Sequence, residues 1–250
     1  MEQPTIALVV ALAQERRALR RCLASVRRWG ADEFSGLSGR LGRHPVILVQ
    51  AGIGRDRARR ALLSASRRFR LRAAWSLGFA GGLANGLRPG DLVCPGAVLR
   101  DDGQAGQASP AAPARAAVAA AFSVARIPFA DGFLLSVDSP LRTPEAKRAA
   151  HRRTGAVAVD MEAAGVVEAA ESLGIPWLAI KSIVDAVDEP LPEFLGGCTT
   201  PAGDLRWAGV LRSLAIGSRR NALRRLGRAS RQASPALRRG LDLAVEAWHI

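Results

Sequence analysis

Short apolar runs alternate with amphipathic segments along most of the chain. The runs are apolar at consecutive positions and end at Gly, Asp or Glu, which is typical of β-strands that are buried on both faces of a sheet. They are "TIALVVAL" (5–12), "HPVILVQAG" (44–52), "AAWSLGFAG" (73–81), "GDLVCPGAVL" (90–99), "GAVAVDME" (155–162) and "PWLAIKSIVD" (176–185).

Three segments between these runs have helical spacing: 13–26, 56–69 and 161–174, the last of which ends at Gly174. Strands that alternate with helices predict an α/β fold of three layers with a mainly parallel sheet. Residues 101–120 are rich in Gly, Ala, Pro and Ser, and they predict a loop that leads into a helix.

Length and composition indicate a globular protein. With 250 residues, of which 48% are hydrophobic, the chain can bury a full core. Cys22, Cys94 and Cys198 lie far apart and the histidines are isolated, so we expect reduced thiols in a cytoplasmic protein and no metal site. The opening run follows Glu2 and predicts a strand rather than a signal peptide. No apolar run approaches the roughly 20 residues that span a bilayer.

The charge of the chain is strongly positive. The 36 Lys and Arg residues outnumber the 22 Asp and Glu residues, which gives a net charge of +14. Such a field suggests an anionic partner: nucleic acid, a membrane surface or a phosphorylated small molecule. Genome base composition is an alternative explanation. Nucleic acid is not expected, because no nucleic-acid-binding motif is present and aromatic residues make up only 5% of the chain.

Acidic residues and glycine turns follow several of the predicted strands. Ligands of α/β sheets gather at the carboxyl ends of the strands, so these residues are the candidates for a site. A single acid there can also serve as a helix N-cap or as a favourable first-turn residue. The candidates are Glu15, the glycines of "AGIGR" (51–55) and "GFAGGL" (78–83), Asp160, Glu162 and Asp185.

The same segments carry a family resemblance. "IALVVALAQE" (6–15), "QAGIGRDRA" (50–58), "LGFAGGLANGLRPGDLV" (77–93) and "GAVAVDMEAAGVVEAAESLGIPWLAIKSIVDAVDE" (155–189) resemble the purine and uridine phosphorylase superfamily, in particular its nucleosidase branch. The resemblance implies a three-layer α/β/α nucleoside phosphorylase-like fold with a central mixed, mainly parallel sheet. It also implies cleavage of the N-glycosidic bond of a purine nucleoside with release of adenine, no cofactor, and a homo-oligomer.

The resemblance assigns roles to the acidic residues. Asp185 is implied to be the general acid that protonates purine N7, and Glu162 to accept hydrogen bonds from the ribose hydroxyls. Glu15 takes the position that activates water in the hydrolytic branch. The implied substrate-binding residues are Met161, Asp160, Ile53, Gly81 and Lys181.

Phosphorolysis is an open alternative to hydrolysis. It would need backbone N–H groups and arginines around a phosphate co-substrate. Gly54, Arg55 and Gly82 are the candidates for that site, and Arg16 and Arg17 are further sources of positive charge.

Within the superfamily, the hopanoid-associated phosphorylases, or adenosylhopane nucleosidases, are most similar to this chain. The similarity rests on "LLSVDSPLRTPEAKRAAHRRTGAVAVDMEAAG" (134–165), on "VDEPLP" (187–192) and on an Arg-rich C-terminus. It implies a lipid-linked adenine nucleoside, adenosylhopane, as substrate. The alternative is a methylthioadenosine/S-adenosylhomocysteine nucleosidase.

Three positions depart from the superfamily pattern. Phe79 replaces a small hydroxyl residue, Lys181 replaces an arginine, and Val184 replaces a small polar residue before the acid. Phe129 and Phe133 are the aromatic residues nearest to the region where a side chain that stacks on the purine is expected.

The C-terminal segment predicts a basic amphipathic helix. Residues 205–241 contain ten arginines and no acidic residue. We therefore divide the chain into a nucleosidase-like domain, 1–204, and an Arg-rich helical extension, 205–250, packed on the same domain. One interpretation is a helix that packs its apolar face and solvates its arginines; another is contact with an anionic membrane, here the inner face of the cytoplasmic membrane. The apolar face comprises Leu211, Leu214, Ala215, Ala222, Leu226 and Ala229.

Overall fold

The computed structural model describes residues 3–101, 109–110, 114–192, 200, 202 and 217–248. Its strands are β1 (Thr5–Val10), β2 (Ala24–Ala31), β3 (Phe34–Leu41), β4 (His44–Gln50), β5 (Leu71–Gly82), β6 (Leu92–Val93), β7 (Ala97–Arg100), β8 (Ser109–Pro110), β9 (Phe129–Ala130), β10 (Phe133–Ser136), β11 (Ala156–Asp160) and β12 (Trp177–Asp185). Its helices are α1 (Ala13–Leu19), α2 (Arg55–Ser66), α3 (Ala114–Val124), α4 (Pro144–Thr154), α5 (Ala163–Ser172) and α6 (Gly217–Ala247), and a short 3-10 turn (Arg20–Cys22) follows α1.

The strands form one mixed, mainly parallel sheet. Its order is β2-β3-β4-β1-β5-β11-β10-β7-β8, and β12 pairs with β5 and β6 beside this path. The central pairs of β1 with β4 and of β5 with β1 and β12 are parallel. The pair of β11 with β5 is antiparallel and is confined to the end of β5. The sheet therefore divides at β5.

Helices cover both faces of the sheet. One core contains Ala7 and Val9 of β1 and the buried sides of α2 and α5. The other contains Ile6 and Leu8 of β1 and the buried sides of α1, α3 and α6. Side chains alternate along a strand, so the consecutive apolar residues of β1 serve both cores. The three layers predicted from the sequence are present.

The predicted helix 13–26 is wrong beyond Leu19. The chain turns there and enters an antiparallel hairpin of β2 and β3 at the edge of the sheet. Most of β2 is exposed, and Arg27 and Arg28 point toward solvent. Charged side chains on an edge strand hinder pairing with a further strand. In an Arg-rich sequence they also obscure the alternation of apolar and polar residues from which a strand is predicted.

Several other boundaries also differ from the predictions. The predicted strand 90–99 is two short strands, β6 and β7. The prediction for 101–120 lies partly outside the described residues; α3 occupies its described end, from residue 114. The patterns did not predict β9, β10 or α4.

The described part of the C-terminal extension is helix α6, which packs on β12, α3 and α1. Ala229, Ala233, Leu237 and Leu241 are buried along one side of it. At its end Trp248 meets Trp75 of β5 edge to face, with ring centroids 5.0 Å apart. Three residues of the predicted apolar face, Leu211, Leu214 and Ala215, lie outside the described residues.

Gly240 is the point of closest approach between α6 and the sheet. A Cβ at this position would lie 2.7 Å from Cδ1 of Leu92 and 3.4 Å from Cγ2 of Ile180. We expect Gly240→Val to lower the free energy of unfolding by about 1–3 kcal/mol, because the added methyl groups overpack this contact. Chemical denaturation measures the change.

Gly227→Ala is the matched control in the same helix. Nothing lies within 4 Å of a Cβ at Gly227, so alanine should raise stability by about 0.5–1 kcal/mol through its helix propensity. Equal effects of the two substitutions would contradict the close approach of α6 to the sheet.

Candidate active site

The division of the sheet at β5 brings three strand ends together. At the end of β5, Gly81 pairs with Val159 of β11 on one side and is in register with Asp185 of β12 on the other. A Cβ at Gly81 would lie 3.0 Å from Oδ2 of Asp185, so glycine permits this close approach. A cavity of about 470 Å³ opens over these strand ends.

Most of the predicted site residues line this cavity, and four do not. Lys181, Gly54, Arg55 and Gly82 are outside its wall. The predicted residues in the wall are Glu15, Ile53, Gly81, Asp160, Met161, Glu162 and Asp185.

Glu15 is a buried residue of the cavity wall, and the backbone holds its carboxylate. Its Oε2 accepts hydrogen bonds from the backbone N–H groups of Ala11 (2.9 Å) and Leu12 (2.8 Å), and its Oε1 accepts one from Phe79 (2.8 Å). Gly78 makes this arrangement possible, because a Cβ there would lie 2.6 Å from Oε1. The carboxylate is thus fixed by the main chain of β5 and of the turn before α1.

Lys181 lies beneath the cavity rather than in its wall. Its side chain is 2% exposed, and its Nζ is 2.8 Å from Oδ2 of Asp160 and 2.9 Å from the hydroxyl of Ser76. Burial alone lowers the pKa of Lys181, but the surrounding carboxylates outweigh this effect, and the net direction is upward. A permanent ammonium charge therefore faces the acidic residues from below.

Asp160 and Glu162 mark the passage from β11 into α5. Oδ2 of Asp160 also accepts a hydrogen bond from the N–H of Ala163, at 2.9 Å, near the start of the helix. Oε1 of Glu162 accepts a hydrogen bond from the N–H of Gly54, at 2.8 Å. Asp160 is thus held through its Oδ2 and Glu162 through its Oε1, and both side chains line the cavity.

Asp185 pairs with Lys147, a residue of α4 that the sequence patterns did not identify. The Lys147 ammonium, which is fully buried, donates a hydrogen bond to Oδ2 of Asp185. It also donates to the carbonyl oxygens of Ala186 and Glu189, each at 2.7 Å. One sequence feature could have revealed Lys147: only two lysines occur in this Arg-rich chain, and Lys181 is the other.

Burial raises the pKa values of three carboxyl groups in the wall, those of Glu15, Glu162 and Asp185. It raises the pKa of Glu15 against the opposing effect of the three backbone donors. It raises that of Asp185 against the opposing effect of Lys147. Burial, and then the neighbouring charge of Asp160, raises the pKa of Glu162 to about 8. A raised pKa makes a carboxyl group better able to hold a proton for a leaving group, and makes its ionised form a stronger base.

The candidate phosphate-binding residues have other partners. The N–H of Gly54 is used by Glu162, and Gly82 pairs with Ala158 inside the sheet. Nε of Arg55 lies 3.8 Å from Oδ1 of Asp138 and 3.9 Å from Oδ1 of Asp56. The structure therefore does not assemble these three residues into an anion site at the cavity.

The aromatic residue in the cavity wall is Phe79. Phe129 instead packs against Phe122, with ring centroids 5.6 Å apart, and Phe133 is 41% exposed. Neither of these two residues lines the cavity. The phenyl ring of Phe79 supplies an aromatic surface at a position where the superfamily pattern has a hydroxyl.

The outer wall of the cavity is almost entirely apolar, and the sequence patterns did not predict it. Its residues come from the segments before α4 and after β12 and from one turn of α6. Arg142 and Ser230 are the polar exceptions in this part of the wall. The apolar residues are Val137, Pro140, Leu141, Leu191, Pro192 and Leu226.

The described residues contain no group of three or more His, Cys, Asp or Glu side chains that could hold a metal ion. None of the helices in the described part of the chain is both long and apolar enough to cross a membrane.

Comparison with known proteins identifies the family. Residues 5–202 match the Phosphorylase superfamily. The 5′-methylthioadenosine/S-adenosylhomocysteine nucleosidase of Mycobacterium tuberculosis is 26% identical over an alignment of 217 residues that covers 72% of this chain and 85% of that protein. The nucleosidase of the same name from Thermotoga maritima is 30% identical over an alignment of 152 residues that covers 59% of this chain and 69% of that protein.

Solved structures share the fold. The 5′-methylthioadenosine/S-adenosylhomocysteine nucleosidase of Neisseria meningitidis, in complex with methylthio-immucillin-A, has a TM-score of 0.78 at 21% identity and covers 98% of this chain and 100% of its own. Futalosine hydrolase of Helicobacter pylori has a TM-score of 0.78 at 16% identity and covers 98% of each chain. The predicted nucleoside phosphorylase-like fold is confirmed. Because the family match runs from the first strand to beyond the strand that carries Asp185, the chain belongs to the Phosphorylase superfamily and is an enzyme that cleaves N-glycosidic bonds.

Proposed function

We propose that this enzyme hydrolyses the N-glycosidic bond of an adenine nucleoside that carries an apolar 5′ substituent. The observation that carries the proposal is the convergence of Glu15, Glu162 and Asp185 on one cavity whose outer wall is apolar. The reaction as proposed needs the nucleoside, water and side chains of this chain, and no cofactor takes part in it.

Asp185 acts on the leaving group. As the bond between C1′ and N9 breaks, its electron pair moves into the adenine ring, and a proton passes from the Asp185 carboxyl to N7. Adenine then leaves as a neutral molecule instead of an anion, which lowers the barrier. The upward direction of the Asp185 pKa supports this role, because the carboxyl must hold its proton before the reaction.

Glu162 and Met161 act on the sugar. Both line the cavity directly after β11, where Glu162 can accept hydrogen bonds from the ribose hydroxyls and Met161 can pack against the ring. The ribose gains positive charge as the base departs, and the oxygens of the Glu162 carboxyl group, which carry partial negative charge even when the group holds its proton, stabilise that charge electrostatically.

Glu15 activates the nucleophile, which we propose is water. Its fixed carboxylate takes a proton from the water molecule that attacks C1′, and the products are free adenine and the 5′-substituted ribose. The partners of Gly54, Arg55 and Gly82 speak against phosphate as the nucleophile.

The apolar outer wall indicates the nature of the 5′ group. A nucleoside with its base near Asp185 and its ribose near Glu162 would direct its 5′ carbon toward Leu141, Leu191 and Leu226. The specific substrate that we propose is adenosylhopane, whose 5′ substituent is a large hydrocarbon. Methylthioadenosine and S-adenosylhomocysteine are the second candidates, because the curated relatives are nucleosidases of that name.

A second cleft supports contact with a membrane. It measures about 270 Å³, lies between α1 and α6, and shares Gln14 and Ser230 with the substrate cavity. Four arginines line it: Arg17, Arg21, Arg231 and Arg238. We propose that this arginine cleft, together with the Arg-rich segment 205–241, contacts anionic lipid headgroups at the inner face of the membrane. A lipid-linked substrate would then enter the adjoining cavity. We also propose a homo-oligomer, on the resemblance alone.

The protonation of Glu162 sets the sign of a pH effect on stability. The folded protein holds this proton up to about pH 8, whereas a carboxyl in the unfolded chain releases it near 4.5. Between these values the unfolded state binds fewer protons, so stability falls as the pH rises. Glu15 and Asp185 act in the same direction.

We therefore expect the Tm of the wild type to fall between pH 5 and pH 8, and Glu162→Gln to flatten this dependence because the amide does not titrate. Calorimetry across this range measures it. Glu171→Gln, at an exposed position of α5, is the control and should keep the wild-type slope. The same slope in all three proteins would contradict the assignment.

The proposed reaction predicts adenine release without phosphate. Adenosylhopane, methylthioadenosine and S-adenosylhomocysteine are each incubated with the enzyme with and without phosphate, and adenine is measured by chromatography. We expect equal rates in both buffers and the highest kcat/KM for adenosylhopane. A strict phosphate requirement would show that the enzyme is a phosphorylase. Faster turnover of the two soluble substrates would contradict the proposal that adenosylhopane is the specific substrate.

The membrane proposal predicts binding to anionic vesicles at low salt. The wild type should co-sediment with vesicles that contain phosphatidylglycerol but not with vesicles of phosphatidylcholine alone. Changing Arg17, Arg21 and Arg231 to Gln should reduce this binding at least about tenfold, since each basic residue near the surface contributes about 1 kcal/mol. The control changes three exposed arginines elsewhere, Arg27, Arg28 and Arg70, to Gln. Equal losses in both variants would show that net charge, not the cleft, is responsible.

A further inference from the structure

Lys147 is an unusual residue for this chain. Of the 36 lysine and arginine residues only two are lysine, and both are buried beside an aspartate of the cavity. Lys181 touches Asp160, and Lys147 touches Asp185. The chain uses arginine at its solvent-exposed cationic positions, so a compact ammonium at these two places calls for a local explanation.

The Lys147 ammonium has three donors and three oxygen partners. It donates to Oδ2 of Asp185 and to the carbonyl oxygens of Ala186 and Glu189. A protonated amine has three N–H bonds and no acceptor, so this environment fits the charged form completely. A planar guanidinium with five donors would not fit the same three oxygens.

The pairing leaves the two oxygens of Asp185 in different situations. Oδ2 is occupied by Lys147, whereas Oδ1 makes no hydrogen bond to any described residue and belongs to a side chain in the cavity wall. We propose that Lys147 is a positioning residue for the reaction: it confines the transferable proton of Asp185 to Oδ1, facing the base, and stabilises the carboxylate that remains when the proton has gone to N7. This inference rests on the proposed role of Asp185 as the general acid.

The charge of Lys147 offsets the effect of burial on acid strength. Burial raises the pKa of Asp185, and an aspartic acid with a very high pKa is a poor proton donor. The ammonium acts in the opposite direction. The other charged groups that act on Asp185 are Glu189 of the following turn, which raises its pKa, and Arg225 of α6, which lowers it. Neither of these contacts an oxygen of Asp185 in the structure, so Lys147 has the most direct effect.

The test is the pH profile of kcat/KM for adenine release by Lys147→Met, with the better substrate of methylthioadenosine and adenosylhopane. Activity requires protonated Asp185, so kcat/KM falls above the pKa of this residue and the profile has a basic limb there. Without the ammonium this basic limb should move to higher pH by about one unit or more, and the rate below the limb should fall about tenfold, because the acid is weaker. A residue that only maintains packing would lower the rate at every pH and leave the limb in place; that result would overturn the proposal.

Arg148→Met is the matched control. It removes one positive charge from the adjacent, exposed position of α4, and its limb should coincide with that of the wild type. An equal shift in this control would overturn the proposal, because it would attribute the effect to overall charge.

The double variant Lys147→Met/Asp185→Asn covers the case in which Lys147→Met does not fold. If unfolding results from an unpaired buried carboxylate, removing both charges restores a folded protein by calorimetry. If Asp185→Asn folds and the double variant does not, Lys147 is needed for packing alone and the proposal is lost. Asp185→Asn with wild-type turnover would instead refute the proposed general acid, which separates the two failures.

Discussion

The buried ammonium of Lys181 is the interaction on which the rest of the site depends. Asp160, Glu162 and Glu15 approach each other in a largely apolar interior, where like charges repel strongly and burial opposes ionisation. Lys181 lies below them, at 2.8 Å from Asp160, and its charge opposes the rise that burial causes in the pKa values of Glu15 and Glu162. Its position in β12, next to β5, delivers this charge to the point where the sheet divides.

The division of the sheet brings residues from distant parts of the sequence together in one site. β5 is parallel to β12 along most of its length and antiparallel to β11 only at its last residues. As a result, Asp185 and the Asp160–Glu162 segment meet on opposite sides of Gly81. The same geometry explains why glycines occupy this strand end: a side chain at Gly78 would collide with Glu15, and one at Gly81 would crowd Asp185.

The sequence predicted the layers and the strand ends because both depend on local patterns. Buried parallel strands are read from consecutive apolar residues, and their carboxyl ends from the acids and glycines that follow. The β2–β3 hairpin was missed because an exposed edge strand with arginines has no apolar period of its own. Lys147 was missed because its partner lies 38 positions away in sequence, and no local pattern reports such a pair. The apolar outer wall was missed for the same reason, since it combines residues from three separate segments.

The proposed mechanism depends on protonation of N7, and the 7-deaza analogue of the cleaved nucleoside probes this step in the wild-type enzyme. The analogue keeps the ribose, the 5′ group and the amino group, but a carbon atom replaces N7. We predict that it inhibits adenine release competitively and is itself cleaved at least about a hundredfold more slowly than the nucleoside. Cleavage of the analogue at a rate close to that of the nucleoside would contradict the role of Asp185 and, with it, the mechanism proposed for the site.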